Sequence, residues 1–192
     1  MVTREKNEVE MRIMKLQHQT KSYLHEIKEL AEGLSDPARL TIISYFTYSL
    51  DISHNPEQES LCLGSYHIHN TGNQAITNPT VCIKVSKESP FSFSGRYVYE
   101  NFKQSLKVAD GWQRMNEKTN KEEFWLKPLG RTSIEPNETI SFSNFQITWS
   151  PKESYAGSIT ALMYSDQLKD GIAVINPINL NGTVRIQGDE NG

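Results

Sequence analysis

Cysteine is scarce here. Cys62 and Cys82 are the two in 192 residues, too few for a disulfide-stapled scaffold and compatible with a reducing compartment. Long apolar runs are absent: no stretch approaches the roughly 18 residues of a membrane span. The first residues are charged, with no apolar h-region and no small-residue cleavage site, so neither a membrane span nor a secretory leader is expected. A basic surplus is missing too. Lys+Arg 20 against Asp+Glu 23 leaves a net charge of -3, without the cationic excess by which a nucleic-acid binder displaces counterions. There is no phosphate-cradling glycine loop, nucleophile elbow or HExxH helix. These absences argue against an enzyme, a cofactor and a nucleic-acid partner. They leave a cytoplasmic protein or a component of an assembled particle as the expectation.

What is present begins with a heptad seam. Val9, Ile13, Leu16, Thr20, Tyr23, Ile27, Leu30 and Leu34 are spaced alternately four and three, the pattern of a helix that lies along another helix. Residues 1–35 are therefore expected as helix, with polar residues 3–8 frayed and Gly33 and Ser35-Asp36-Pro37 as the stop. With Ile13, Thr20 and Ile27 at a, the d positions are Leu16, Tyr23 and Leu30, which favours two parallel strands. Leu24 and Ala31 fall at e and widen the stripe. A wider stripe suits a trimer, a bundle, or docking on the chain's own head. Self-association and docking both stand at this point, with a homo-oligomer preferred.

After the helix the pattern changes to short strands with polar turns, a mainly β head over 36–188 ending in a flexible tail, 189–192. Strands are expected at Leu40–Leu50, Leu61–Asn70, Val81–Val85, Ser158–Tyr164 and Ile172–Ile175. A hairpin is expected at 111–126 around the turn 116–121. Asn101–Asp110 reads as a short helix or an irregular excursion. Thr139–Trp149 is strongly β, but Ile140 and Phe142 have one parity while Phe145, Ile147 and Trp149 have the other. One extra residue near Ser143-Asn144, a bulge, would bring both sets into the core. Asn181-Gly182 between 178–180 and 183–186 predicts a tight hairpin turn. The two sequons, at Asn137 and Asn181, are expected to be turns.

Two short runs carry resemblances. Leu30-Ala31-Glu32-Gly33-Leu34-Ser35-Asp36-Pro37-Ala38-Arg39-Leu40 resembles the opening of ArsR-type winged-helix repressors, which implies a helix after it and a transcriptional regulator. Asn70-Thr71-Gly72-Asn73 with Asn78-Pro79 resembles a turn in bacterial immunoglobulin-like sandwich modules. That implies an antiparallel Greek-key sandwich, in agreement with the strand count. A jelly-roll-like head fits equally. In outline, a helix followed by a sandwich is similar to bacterial surface, spore or phage-particle proteins.

The chemistry-bearing residues are few. His67 and His69 share one side of a strand with Ser65, which resembles the HxH of cupins, but Asn73 and Gln74 stand where a carboxylate is needed. Solvent-side histidines are the plainer expectation. Cys62 and Cys82 have parities that point them apart, so no disulfide is expected. Asp166 and Asp170 flank a turn without the further oxygens calcium needs. Trp112, Trp125, Tyr97 and Tyr99 invite a carbohydrate- or ligand-binding platform, since sugar rings stack on exposed aromatics, whereas Trp149 and Phe124 suit the core. The preferred function is structural: an oligomer, joined through its helix, that presents β-sandwich heads to a protein partner.

Overall fold

The computed structural model describes residues 2–33, 39–99 and 111–184, with side chains of the helix described over 11–30. The chain divides into two compact units, Met1–Ala38 and Arg39–Gly192. The first contains α1 (Val2–Gly33), a helix of 32 residues. Every described side chain along it is exposed. Leu34 lies outside the described residues.

The second unit is built from strands. In chain order they are β1 (Ile42–Asp51), β2 (Ser60–Asn70), β3 (Ile76–Thr77), β4 (Thr80–Val85), β5 (Ser92–Ser94), β6 (Val98–Tyr99) and β7 (Trp112–Arg114). They continue with β8 (Glu123–Pro128), β9 (Ser133–Ile134), β10 (Thr139–Trp149), β11 (Tyr155–Tyr164), β12 (Ile172–Ala173) and β13 (Ile178–Gly182). One sheet has the order β1-β2-β10-β5. The other runs β12-β11-β4-β8-β7-β6, with β13 also on β11, and β3 pairs with β9 alone. The pairs are antiparallel except β6 with β7. The result is mainly β with a sandwich-like arrangement and one N-terminal helix.

Period-two alternation explains which side chains fill the middle. On β2, Cys62, Tyr66 and Ile68 are buried while Leu63 is exposed and Ser65, His67 and His69 are half-buried on the outer side. On β4, Val81, Ile83 and Val85 join the core, and Cys82 is buried on the opposite face. Phe93, Phe124, Phe142 and Phe145 form the aromatic centre, with ring centroids 4.5 Å apart for Phe93–Phe124 and 5.4 Å for Phe93–Phe145. Each such side chain contributes about 1.5–3 kcal/mol by burial.

The parity change on β10 is a bulge. The register to β2 shifts between Phe142 and Phe145, Asn144 takes φ 60, and Ile140, Phe142, Phe145, Ile147 and Trp149 are all buried. The turn after β2 is held by Asn70, whose side chain donates to Gln74 O and Ile134 O and accepts from Gly72 N–H.

Three expectations require correction. Asn181-Gly182 is not a hairpin turn: β13 runs straight through both, pairing Ala156 with Asn181 and Tyr155 with Gly182. The glycine leaves room for the Tyr155 ring, which a Cβ on Gly182 would approach to 2.5 Å. The strand expected at Ile172–Ile175 stops at Ala173, after which the chain crosses between sheet edges. Val174 N–H bonds Ala161 O on one sheet, and Ile175 N–H bonds Ser44 O on the other. Asn176 then caps the edge of β1, accepting from Phe46 N–H and donating to Phe46 O. Finally, the described residues after that run do not form the helix that the repressor resemblance implies: from Arg39 the chain leads into β1, Ile42–Asp51, and a mainly β fold is not a winged-helix domain. Asn101–Asp110 and the tail 189–192 lie outside the described residues.

Candidate functional site

On α1, the seam residues Ile13, Leu16, Tyr23, Ile27 and Leu30 have between 48% and 63% of their surface exposed. Thr20 is exposed as well and returns its hydroxyl to Leu16 O at 2.9 Å, which lets a polar residue sit in the seam without an unmet donor. The side chain of Val9 is outside the described residues. An isolated helix gains little from propensity, because most helical stability in proteins comes from covering an apolar face.

The head offers a more enclosed feature around Arg114. β7 alternates Trp112 and Arg114 inward, and the guanidinium comes to rest over the Phe124 ring, 4.4 Å from its centroid. Arg114 is 3% exposed. Its Nε donates to Asn116 Oδ1 at 3.1 Å, one terminal nitrogen to Tyr97 Oη at 3.3 Å and Tyr99 Oη at 3.5 Å, and the other to the carbonyls of Glu117, Asn120 and Glu123. The hairpin loop 116–121 is thus wrapped on one cation. Hydrogen bonding and ring faces, the latter about 0.5–2 kcal/mol each, offset the several kcal/mol of desolvation. All of these partners are neutral. Burial raises the Tyr97 phenol above its ordinary pKa, with Arg114 pulling the other way. A cavity of about 380 Å³ opens here, lined by Tyr97, Tyr99, Arg114, Lys118 and Lys121.

The two tryptophans expected at a platform are separated. Trp112 is buried in the core, its indole N–H donating to Ser141 O at 2.9 Å; its ring face is taken by protein, although it helps line a second cavity of about 520 Å³ beside the β10 bulge. Trp125, on the neighbouring strand of the same sheet, lies on its outer face, stacked on Tyr164 at 5.4 Å and bonded to Glu123. The structure brings Tyr97 and Tyr99 together, ring centroids 5.7 Å apart, but with Arg114 rather than with either tryptophan. Sequence reasoning missed Arg114. The available signal was its parity with Trp112, which places an arginine on the inward face of a strand.

His67 bonds Ser141 Oγ at 2.7 Å through Nδ1 and Thr47 Oγ1 at 2.9 Å through Nε2, and stacks on Tyr45. Both ring nitrogens are occupied, and burial lowers its pKa. Cys62 and Cys82 are both free, burial pushing their thiols up to about 11 and about 12. Asp166 is held low by hydrogen bonds from Thr77 and Asn78. Among the described residues no group of three or more His, Cys, Asp or Glu could hold a metal, and no helix is long and apolar enough to cross a membrane.

No family model matches the chain, and no curated protein matches it. Solved structures do. The chain is similar to AvmM, which catalyses macrocyclization in alchivemycin A biosynthesis, with 10% identity, TM-score 0.40, and coverage of 77% of this chain and 91% of that one. It is also similar to a cohesin module of a family 33 glycoside hydrolase from Clostridium perfringens, at 12% identity, TM-score 0.37, and coverage of 74% and 97%. A family GH18 chitinase from Chromobacterium violaceum matches at 9% identity and TM-score 0.32 over 68% of this chain and 18% of that one.

Proposed function

We propose that this is a non-enzymatic interaction protein that self-associates through α1 and presents several β-sandwich heads, of immunoglobulin-like type, to a protein partner in a bacterial or phage assembly. The observation that carries this reading is the exposed heptad seam, with Ile13, Leu16, Tyr23, Ile27 and Leu30 all uncovered. A second copy of α1 is a cover of matching length and spacing. Few g-to-e charge pairs oppose a wider bundle, because Gln19 would face Leu24 and Glu26 would face Ala31. Joining heads in this way turns weak single contacts into avid binding, provided that the partner offers repeated sites.

The test is the solution mass by light scattering of the full chain, the L16D/I27D variant and residues 36–192. The full chain is expected at two or three times 21.9 kDa, and the variant and the truncation at single copies. A full chain that stays monomeric at high concentration would sink the proposal. A ligand-binding head is the second reading, favoured by the cavity at Tyr97 and Tyr99.

A further inference from the structure

We propose that the cavity over Arg114 is a binding site for a small ligand carrying an oxyanion, a carboxylate or a phosphate. This deepens the ligand-binding reading of the head and does not depend on assembly through α1.

The argument starts from an inversion in how charges are compensated. Among the described residues, the cations seen paired with carboxylates are ones that water already screens. Lys84 on Glu123, Arg131 on Glu138 and Lys152 on Glu57 have side chains at least 40% exposed. Arg114, at 3% exposure, has no carboxylate among the partners described for it. A buried positive charge without a counterion is costly, and the low local dielectric that makes it so also strengthens its attraction for an anion. The cavity of about 380 Å³ places open volume beside that charge, within the range of small-molecule sites.

The donors that face such a ligand are the second part of the argument. The guanidinium N–H groups are spent on loop carbonyls, Asn116 and the two tyrosine oxygens, so Arg114 acts as a fixed charge behind the site. A phenol oxygen that accepts from a guanidinium keeps its own O–H free to donate a hydrogen bond elsewhere, and half-buried Tyr99 on the cavity wall can donate that hydrogen bond to an oxyanion. Lys118 and Lys121 line the same cavity from the exposed loop that Arg114 anchors. They supply mobile ammonium groups, which bind a carboxylate or phosphate as point charges. A buried charge, a phenol and two lysines around one opening make a cationic end, with the edges of Phe91 and Phe93 as an apolar floor.

The experiment is thermal unfolding of the full chain with inorganic phosphate, with sodium glucuronate, and with sodium chloride at matched ionic strength. At least one oxyanion is expected to raise the midpoint saturably, by about 3 °C or more at 100 times its dissociation constant. Response to phosphate alone assigns a phosphorylated ligand, and response to glucuronate alone a carboxylated one. K118A/K121A, which changes two exposed side chains, and Tyr99→Phe are expected to keep the ligand-free midpoint within a few degrees and to weaken binding about tenfold. No rise beyond chloride with either probe, or an equal rise in wild type and both variants, overturns the proposal. Because α1 is untouched, mass by light scattering reports on assembly separately.

Discussion

Gly64 on β2 lies opposite Phe145 on β10, and a Cβ at this position would come within 2.5 Å of the ring and 3.0 Å of Thr47 O. Phe145 is fully buried and packed on Phe46, Phe93 and Phe142, so it has nowhere to move. Gly64→Ala is therefore expected to cost about 1–3 kcal/mol through overpacking, seen as a lower urea midpoint at unchanged m-value. A midpoint equal to wild type would mean that the ring retreats freely. Arg114 shows the opposite case, in which a residue of the wrong polarity for its place is kept because it meets six acceptors, three of them from the loop 116–121 and the others from Tyr97, Tyr99 and Glu123. The two differ in what neighbours can give: rings cannot shrink, whereas carbonyls can turn.

At the scale of elements, β10 is the strand that the two halves of the core share. Its first half aims Ile140 and Phe142 inward and its second half Phe145, Ile147 and Trp149, which a continuous strand cannot do. Asn144 at φ 60 takes up the extra residue. Asn144→Gly is expected to leave stability nearly unchanged, whereas Asn144→Val costs about 1–2 kcal/mol, since a β-branched residue pays the left-handed penalty in full. Equal stability of the two variants by urea unfolding would show that the bulge tolerates another backbone conformation. The crossing after β12 is the second such element. Asn176 stands in for a strand neighbour at Phe46, so the edge of β1 is blunted by one side chain.

For the whole molecule, two units of different physics share one chain. The head holds its own core, whereas α1 keeps its apolar seam in water. If copies of α1 cover one another, helix content must follow mass action. The far-UV circular dichroism signal at 222 nm per residue is expected to rise with protein concentration across the dissociation range, and L16D/I27D is expected to abolish that dependence. A concentration-independent signal in the wild type would assign the helical content to each chain alone.

The sequence by itself determined what depends on neighbours along the chain. The period of α1, the alternation on β2 and the parity change on β10 all follow from side-chain direction, which local geometry sets. The mainly β class and the outward histidines were legible for the same reason. Tertiary structure decided what depends on residues far apart. Asn181-Gly182 has the composition of a turn, yet β11 holds it as strand through the pairing of Ala156 with Asn181 and Tyr155 with Gly182. Trp112 and Trp125 look alike in sequence, but one fills the core and the other covers the outer face beside Cys82. The Arg114 site joins β6, β7, β8 and a loop, and no local pattern announces that three neutral carbonyls and two phenols will converge on one buried charge. Burial of that kind is a property of the closed fold, because only closure removes the water that would otherwise have solvated the guanidinium.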